Sequence, residues 1–149
     1  MQLANEPKVA LHVEIANGAI CSSRLSLSDA FICTGADNEV MDWLRLYLLG
    51  KTKALPLSFE NLSLFQREAL EALLKIPFGN TRSYGEIAAK CGQPKAARAI
   101  GNACHRNPFP LLIPCHRVIQ SNGKLGGFAL DLEIKRRLLE FEASRTLAS

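Results

Sequence analysis

The sequence has no long apolar span and no basic-then-apolar leader before a small-residue cleavage site, which excludes a membrane-spanning helix and a signal peptide from the reading. A cytosolic protein is therefore expected. Phosphate-cradling GxxxxGK[ST] and GxGxxG stretches are missing as well, so nucleotide hydrolysis and dinucleotide redox chemistry have no support. There are no internal repeats or low-complexity tracts. The five cysteines, Cys21, Cys33, Cys91, Cys104 and Cys115, are odd in number and lack close paired spacing, which argues against a secreted disulfide framework. Cys21 and Cys33 could meet His12 around zinc, but no CxxC or HxxxH spacing supports that, and neither a metal site nor a cofactor is expected.

What remains is 149 residues, enough for one domain with a core and a small appendage, and an uneven charge. Residues 1–74 carry six Lys/Arg against nine Asp/Glu, while residues 75–149 carry twelve against five. Between Arg82 and Arg117 six basic residues face only Glu86. Such local charge suits phosphates, though a solvated basic face would look the same.

Local signals divide the chain into a small N-terminal α/β module, residues 1–55, and a mostly helical C-terminal domain, residues 56–149. Lys8 to Ile15 and Ala19 to Leu25 flank Asn17-Gly18, a hairpin signature. Asp37 or Asn38 can cap a helix from Glu39 to Leu49, with Val40, Trp43, Leu44, Tyr47 and Leu48 on one face and Gly50 as its stop. Ser63 precedes a second helix with a stripe of Leu64, Ala69, Leu70, Leu73 and Leu74. Ser83-Tyr84-Gly85-Glu86 fits a capping box that opens a short helix to Cys91. Gly92 breaks it, and Lys95 to Arg106, after Pro94, completes a helix-turn-helix pattern. The second of these helices is rich in small residues, Ala96, Ala97, Ala99 and Gly101, which let its backbone approach either a neighbouring helix or a nucleic-acid groove. Asp131 caps a last helix whose Leu132, Ile134, Leu138, Leu139 and Phe141 face the core and which Glu142 closes.

One stretch concentrates reactive groups. In Ile113-Pro114-Cys115-His116-Arg117-Val118-Ile119 an apolar run carries a thiol, an imidazole and a guanidinium side by side. A thiol is strongly nucleophilic only as thiolate, and a neighbouring imidazole and cation favour that form. A Cys in such a run can equally be a small buried hydrophobe.

Taken in order, Pro77-Phe78-Gly79, Ser83-Tyr84-Gly85-Glu86-Ile87-Ala88, Ala97-Arg98-Ala99-Ile100-Gly101, Asn107-Pro108, Leu112-Ile113-Pro114-Cys115-His116-Arg117-Val118, and Lys135 through Leu138-Leu139 to Glu142 resemble the O6-alkylguanine-DNA alkyltransferase family, also called methylated-DNA–protein-cysteine methyltransferases. The resemblance runs from about Phe65 to Glu142. It implies that Cys115 takes the alkyl group from O6 of guanine, with O4-alkylthymine as a further substrate, in a single irreversible turnover. His116 would accept the thiol proton, Glu142 would orient His116, Tyr84 would assist protonation of the departing guanine at N3, and Asn107 would brace the active-site turn.

The resemblance also implies double-stranded DNA as partner, bound through the minor groove with the damaged nucleotide flipped out. Arg98 would fill the vacated stack, Ala97, Ala99 and Gly101 would let the helix enter the groove, and Ser121 would contact phosphate. The main-chain carbonyls of Cys115 and Val118 would accept hydrogen bonds from the guanine edge. Val118, Phe128, Ala129 and Leu130 would line the base pocket, Ala129 offering its backbone N–H toward O6 where many members have a serine and Leu130 replacing a small residue. A monomer is implied, in the cytoplasm with the nucleoid, or in the nucleus of a eukaryote. Alkyltransferase-like proteins that bind alkylated DNA without transfer lack the cysteine that is present here. A cysteine hydrolase would need room for turnover beside an adjacent nucleophile and base.

Overall fold

Asn17 and Gly18 both take left-handed backbone conformations, φ 54° and 77°, the geometry a two-residue hairpin turn requires. They join β1 (Val9–Ala16) to β2 (Ala19–Leu27), and a third strand, β3 (Ile32–Thr34), pairs parallel to the other edge of β1. The strand order is β2-β1-β3. Val9, Leu11 and Val13 alternate inward along β1, and the sheet packs that face on the core. The computed structural model describes residues 6–126 and 132–148.

Helix α1 (Asn38–Leu48) is capped by Asp37, whose side chain accepts the Val40 N–H at 2.9 Å. It buries Val40, Trp43, Leu44 and Tyr47, while Leu48 stays half-buried. Helix α2 (Leu64–Leu74) starts at Ser63, which accepts from the Gln66 N–H. Ala69, Leu70 and Leu73 are buried, but Leu64 and Leu74, expected in the apolar stripe, are exposed at the two ends of the helix. Helix α3 (Tyr84–Lys90) opens on the capping box of Ser83 and Glu86, both reciprocal hydrogen bonds being present. After the turn at Gly92 the next helix, α4, spans Ala97–His105, so Pro94 and Lys95 precede it and Arg106 is its C-cap.

The run after α4 is not simply extended. Residues 109–118 are all buried, Cys115–Arg117 form one turn of 3-10 helix, and β5 (Val118–Ile119) pairs parallel with β4 (Arg82–Ser83). The last helix, α5 (Leu132–Ala148), continues two turns past the expected end: Glu142 sits inside it and is buried. Ile134, Leu138 and Phe141 face the core, whereas Leu132 is exposed because it lies in the first turn. Asp131, the expected cap of α5, lies outside the described residues.

Residues on both sides of position 55 share one apolar cluster, which runs from Val9 and Leu11 through Trp43 and Leu73 to Ile113 and Leu138. Polar ties reinforce it. The buried Ser23 hydroxyl donates to the Pro110 carbonyl at 2.8 Å, Arg145 Nε donates to the Leu48 carbonyl at 2.8 Å, and the Arg137 guanidinium donates to the carbonyls of Lys8 and Ser28.

Two glycines test how tightly the sheet is specified. A Cβ at Gly35 (φ 79°) would lie 2.1 Å from the Val13 carbonyl oxygen, whereas at Gly18 (φ 77°) nothing stands within 4 Å. Gly18→Ala should cost about 1–2 kcal/mol, the left-handed penalty alone, and Gly35→Ala about 2–5 kcal/mol because overpacking against backbone adds to it. Equal losses in denaturant melts would show that the sheet edge yields freely.

Candidate active site

Cys115 and His116 occupy the first two positions of the 3-10 turn and are both excluded from solvent. Burial of the turn follows from its neighbours in sequence, since Leu111 to Pro114 and Val118 are themselves core residues. Leu111 takes a left-handed conformation, φ 72°, which costs a non-glycine residue about 1–2 kcal/mol. Asn107 holds the chain there: its amide donates to the Ile113 carbonyl at 3.1 Å and its oxygen accepts the Phe109 N–H at 2.8 Å. These two hydrogen bonds tie Asn107 to the run that leads into Cys115.

His116 Nε2 lies 2.7 Å from Glu142 Oε2. A carboxylate only accepts, so Nε2 carries the proton and Nδ1 is the basic nitrogen. Among the described residues Nδ1 is buried without a hydrogen-bond partner. Glu142 receives more than the imidazole. Arg117 donates to it from Nε at 2.8 Å and from Nη2 at 3.1 Å, Tyr47 Oη donates at 2.8 Å, and the Gly79 N–H donates at 3.3 Å. The third Arg117 nitrogen, Nη1, is held by the Ile76 carbonyl at 2.8 Å.

These surroundings set the protonation states. Burial alone would raise the Glu142 carboxyl, but His116 and Arg117 outweigh it and hold the group well below the usual carboxylate range. Burial pushes His116 down, against the pull of Glu142 and with the help of Arg117 and Lys135, so its imidazole is neutral at pH 7. Burial pushes the Cys115 thiol up, partly offset by Asn107, Lys135 and its own backbone amide. The resting pair is thus thiol and neutral imidazole.

Lys135, fully buried on α5, donates from Nζ to the Val118 carbonyl at 2.6 Å and to the Leu125 carbonyl at 2.5 Å. Burial pushes it down to about 8, with Cys104 and Cys115 pulling the other way. The carbonyls expected to meet a guanine edge therefore already have protein partners, Lys135 on Val118 and the Val118 N–H on Cys115. Each carbonyl retains a second lone pair.

Beside this centre, Tyr84, Ala97, Arg98, Gly101, Asn102, His105, Gln120 and Gly126 line a cleft of about 500 Å³. Tyr84 Oη is buried without a hydrogen-bond partner among the described residues, and burial together with the thiols of Cys104 and Cys115 pushes the phenol up. Arg98 is exposed at the cleft, while Ala97, Ala99 and Gly101 are half-buried on α4. Ser121 is exposed in the turn after β5 and does not line the cleft. Phe128, Ala129 and Leu130 lie outside the described residues. Five cysteines are free, and among the described residues no three His, Cys, Asp or Glu side chains converge as metal ligands.

Three groups at the centre serve partners that their sequence positions do not reveal. Arg117 was visible only as a cation beside the thiol. Tyr47 read as a core aromatic, although a buried phenol needs a partner for its hydroxyl. Lys135 stood only within the matching stretch, yet a lysine one residue from Ile134 and three from Leu138 on an apolar helix face signals a buried cation.

A buried cysteine in a short turn, an imidazole fixed by a buried carboxylate, and an adjoining helix pair whose cleft exposes Arg98 define a protein built around a buried cysteine–histidine–glutamate cluster. Residues 64–144 match the 6-O-methylguanine DNA methyltransferase DNA-binding domain. The chain belongs to that family. It is 55% identical over 80 residues to a methylated-DNA–protein-cysteine methyltransferase of Methanosarcina acetivorans, covering 54% of this chain and 51% of the relative, so that match spans about half the relative's length. A Mycobacterium bovis relative of the same name is 44% identical over 115 residues, covering 76% of this chain and 70% of the relative. Among solved structures, Mycobacterium tuberculosis OGT in complex with DNA superposes with a TM-score of 0.75 at 35% identity, covering 91% of this chain and 94% of that one. No described helix is long and apolar enough to cross a membrane.

The state of His116 has a measurable consequence. Its folded pKa is depressed, so below about pH 6.5 the unfolded chain binds a proton that the folded side chain refuses. Stability contributed by this group is present above the unfolded value and is lost toward acid, with a slope approaching about 1.4 kcal/mol per pH unit. His116→Gln, which can still donate to Glu142, should flatten the stability curve between pH 6.5 and 5. An unchanged slope in that variant would assign the acid sensitivity elsewhere.

Proposed function

We propose that the protein reverses alkylation damage in DNA by moving the alkyl group from O6 of guanine onto Cys115. His116 Nδ1, directly or through water, takes the thiol proton, and sulfur attacks the alkyl carbon. The carbon–oxygen bond breaks as the carbon–sulfur bond forms, and the departing guanine leaves protonated at N3 with help from Tyr84. The thioether is stable, so each molecule acts once. O4-alkylthymine is a second substrate of the same chemistry. The observation that carries this reading is a buried His116 whose Nε2 is locked onto Glu142 and whose Nδ1 has no partner among the described residues, next in sequence to the buried Cys115.

The DNA partner follows from the matched domain and from the neighbouring structure solved with DNA. A base stacked in a duplex cannot reach a buried thiol, so the nucleotide is flipped into the pocket. Arg98, exposed at the rim of the Tyr84 cleft, fills the gap, and the small residues Ala97, Ala99 and Gly101 allow α4 to lie close in the minor groove. Ser121 contacts phosphate, and Val118 with Phe128, Ala129 and Leu130 forms the wall around the base. The protein works as a monomer without a cofactor, with residues 1–55 as a supporting module and residues 56–149 as the transfer and DNA-binding unit.

Two substitutions test the assignment. Cys115→Ser should abolish alkyl uptake while leaving binding to alkylated duplex largely intact, and Cys91→Ser should take up one alkyl group as the parent does. Mass spectrometry after incubation with methylated duplex reads both, and uptake at parental level by the Cys115 variant would end the proposal. Arg98→Ala should slow transfer from duplex by roughly one to two orders of magnitude, the scale of unstacking a base, while sparing transfer from the free alkylated base. Equal losses on both substrates would place Arg98 in the chemistry instead.

A further inference from the structure

We infer that Tyr47, on helix α1 of the N-terminal module, is a positioning residue of the transfer site: its hydroxyl holds Glu142 and thereby sets how strongly His116 acts as a base. The inference rests on the reading of Cys115, His116 and Glu142 given above and extends it to a module outside the matched domain. Tyr47 Oη donates to Glu142 Oε2 at 2.8 Å, the same oxygen that receives His116 Nε2 at 2.7 Å. Both side chains are solvent-excluded, 2% and 1% exposed, so no water can substitute for the phenol.

The ring is fixed independently of that hydrogen bond. It stacks on Trp43 with centroids 5.5 Å apart and an interplanar angle of 4°, meets Phe78 edge-on at 5.4 Å, and tilts against Phe141 at 5.5 Å. Three aromatic contacts from α1, the turn after α2, and α5 therefore aim one hydroxyl at one carboxylate oxygen. Burial and the Glu142 charge push the phenol up well beyond its ordinary value, against a smaller opposing effect of Arg117, so Tyr47 stays protonated and can only be a donor here.

The consequence concerns charge. Glu142 is faced by Tyr47 from α1, by His116 and Arg117 from the 3-10 turn, and by the Gly79 amide; Lys135 on α5 adds a positive charge near His116. Each donor withdraws electron density from the carboxylate. Removing Tyr47 Oη leaves Oε2 richer in charge and so stabilises protonated His116. Because the resting pair is thiol and neutral imidazole, the acid limb of the transfer rate reports His116 and must move to higher pH in the variant.

The test is Tyr47→Phe, which keeps the aromatic packing and removes only the hydroxyl. The chain has three histidines, so His116 can be followed by nitrogen-detected NMR titration without crowding. Its proton affinity should rise roughly three- to tenfold, the scale of part of one hydrogen bond to a charged group, and the acid limb for transfer from methylated duplex should move up with it. Trp43→Phe, which loosens the same aromatic cluster without touching Glu142, should lower stability but leave the His116 titration in place. Fluorotyrosine at position 47, a stronger donor, should move the titration down, and it decides the matter even if the phenylalanine variant folds poorly. An unmoved His116 in Tyr47→Phe, or an equal movement in Trp43→Phe, overturns the inference. Absence of alkyl uptake by the parent protein would instead overturn the transfer reading, and the NMR titration would still judge Tyr47.

Discussion

A carboxylate buried to 1% exposure is the constraint around which this molecule is arranged. Left unpaired, Glu142 would be expensive enough to protonate or to unfold the chain, because a buried ion must recover its lost hydration through hydrogen bonds and opposite charge. It does so with five hydrogen bonds from four residues on three separate stretches: Tyr47 in α1, Gly79 after α2, and His116 and Arg117 in the 3-10 turn. Removing one partner from such a buried arrangement typically costs about 3–5 kcal/mol, a large share of a domain's margin of about 5–15 kcal/mol. The same interaction that orients the imidazole therefore also clamps α1, α5 and the turn together. The orientation of His116 and the packing of α1 against α5 share one group.

The second demand is a turn that would not fold this way alone. Leu111 is left-handed and every residue from 109 to 118 is buried, so the backbone groups of this run must be satisfied internally. Asn107 supplies two of those hydrogen bonds, Ser23 in β2 supplies another at Pro110, and Lys135 reaches the Val118 carbonyl from α5. Strain is tolerated where the surroundings over-determine the conformation, and here strands, helices and a buried cation all converge on ten residues.

Local signals in the sequence were legible because their physics is local. Asn17-Gly18, the Asp37 and Ser63 caps and the Ser83–Glu86 capping box each satisfy neighbouring amides, and each appears where expected. Strand β3 was not legible: it has three residues, none of them buried, and exists only because β1 offers an edge. The β4–β5 pairing, two residues on each side, likewise depends on the turn being folded. The extension of α5 past Glu142 was hidden because a glutamate among apolar residues reads as an end, when here it is an interior charge with distant partners. Cys115, His116 and Glu142 could be associated from their motifs, and the structure joins His116 to Glu142 directly. Arg117, Lys135 and Tyr47 escaped because nothing in their local spacing says which buried charge or carbonyl each one serves.

For the transfer proposed above, the electrostatics of the site make so deep a thiol compatible with reactivity. A permanently ionised Cys115 would be a buried anion only partly compensated by Asn107 and Lys135, whereas burial keeps it protonated, with His116 next to it in sequence neutral. In the proposed transfer, moving the proton from sulfur to His116 Nδ1 would create an ion pair whose positive end meets Glu142 and whose negative end is favoured by Lys135. The charges of that pair are thus met by groups in place before the proton moves, which is the preorganisation that makes a transient thiolate accessible in a low-dielectric interior. In the proposed transfer the neutral pair and the charged pair carry the same proton on different atoms, and Tyr47, Gly79 and Arg117 already hold Glu142 in place before it moves.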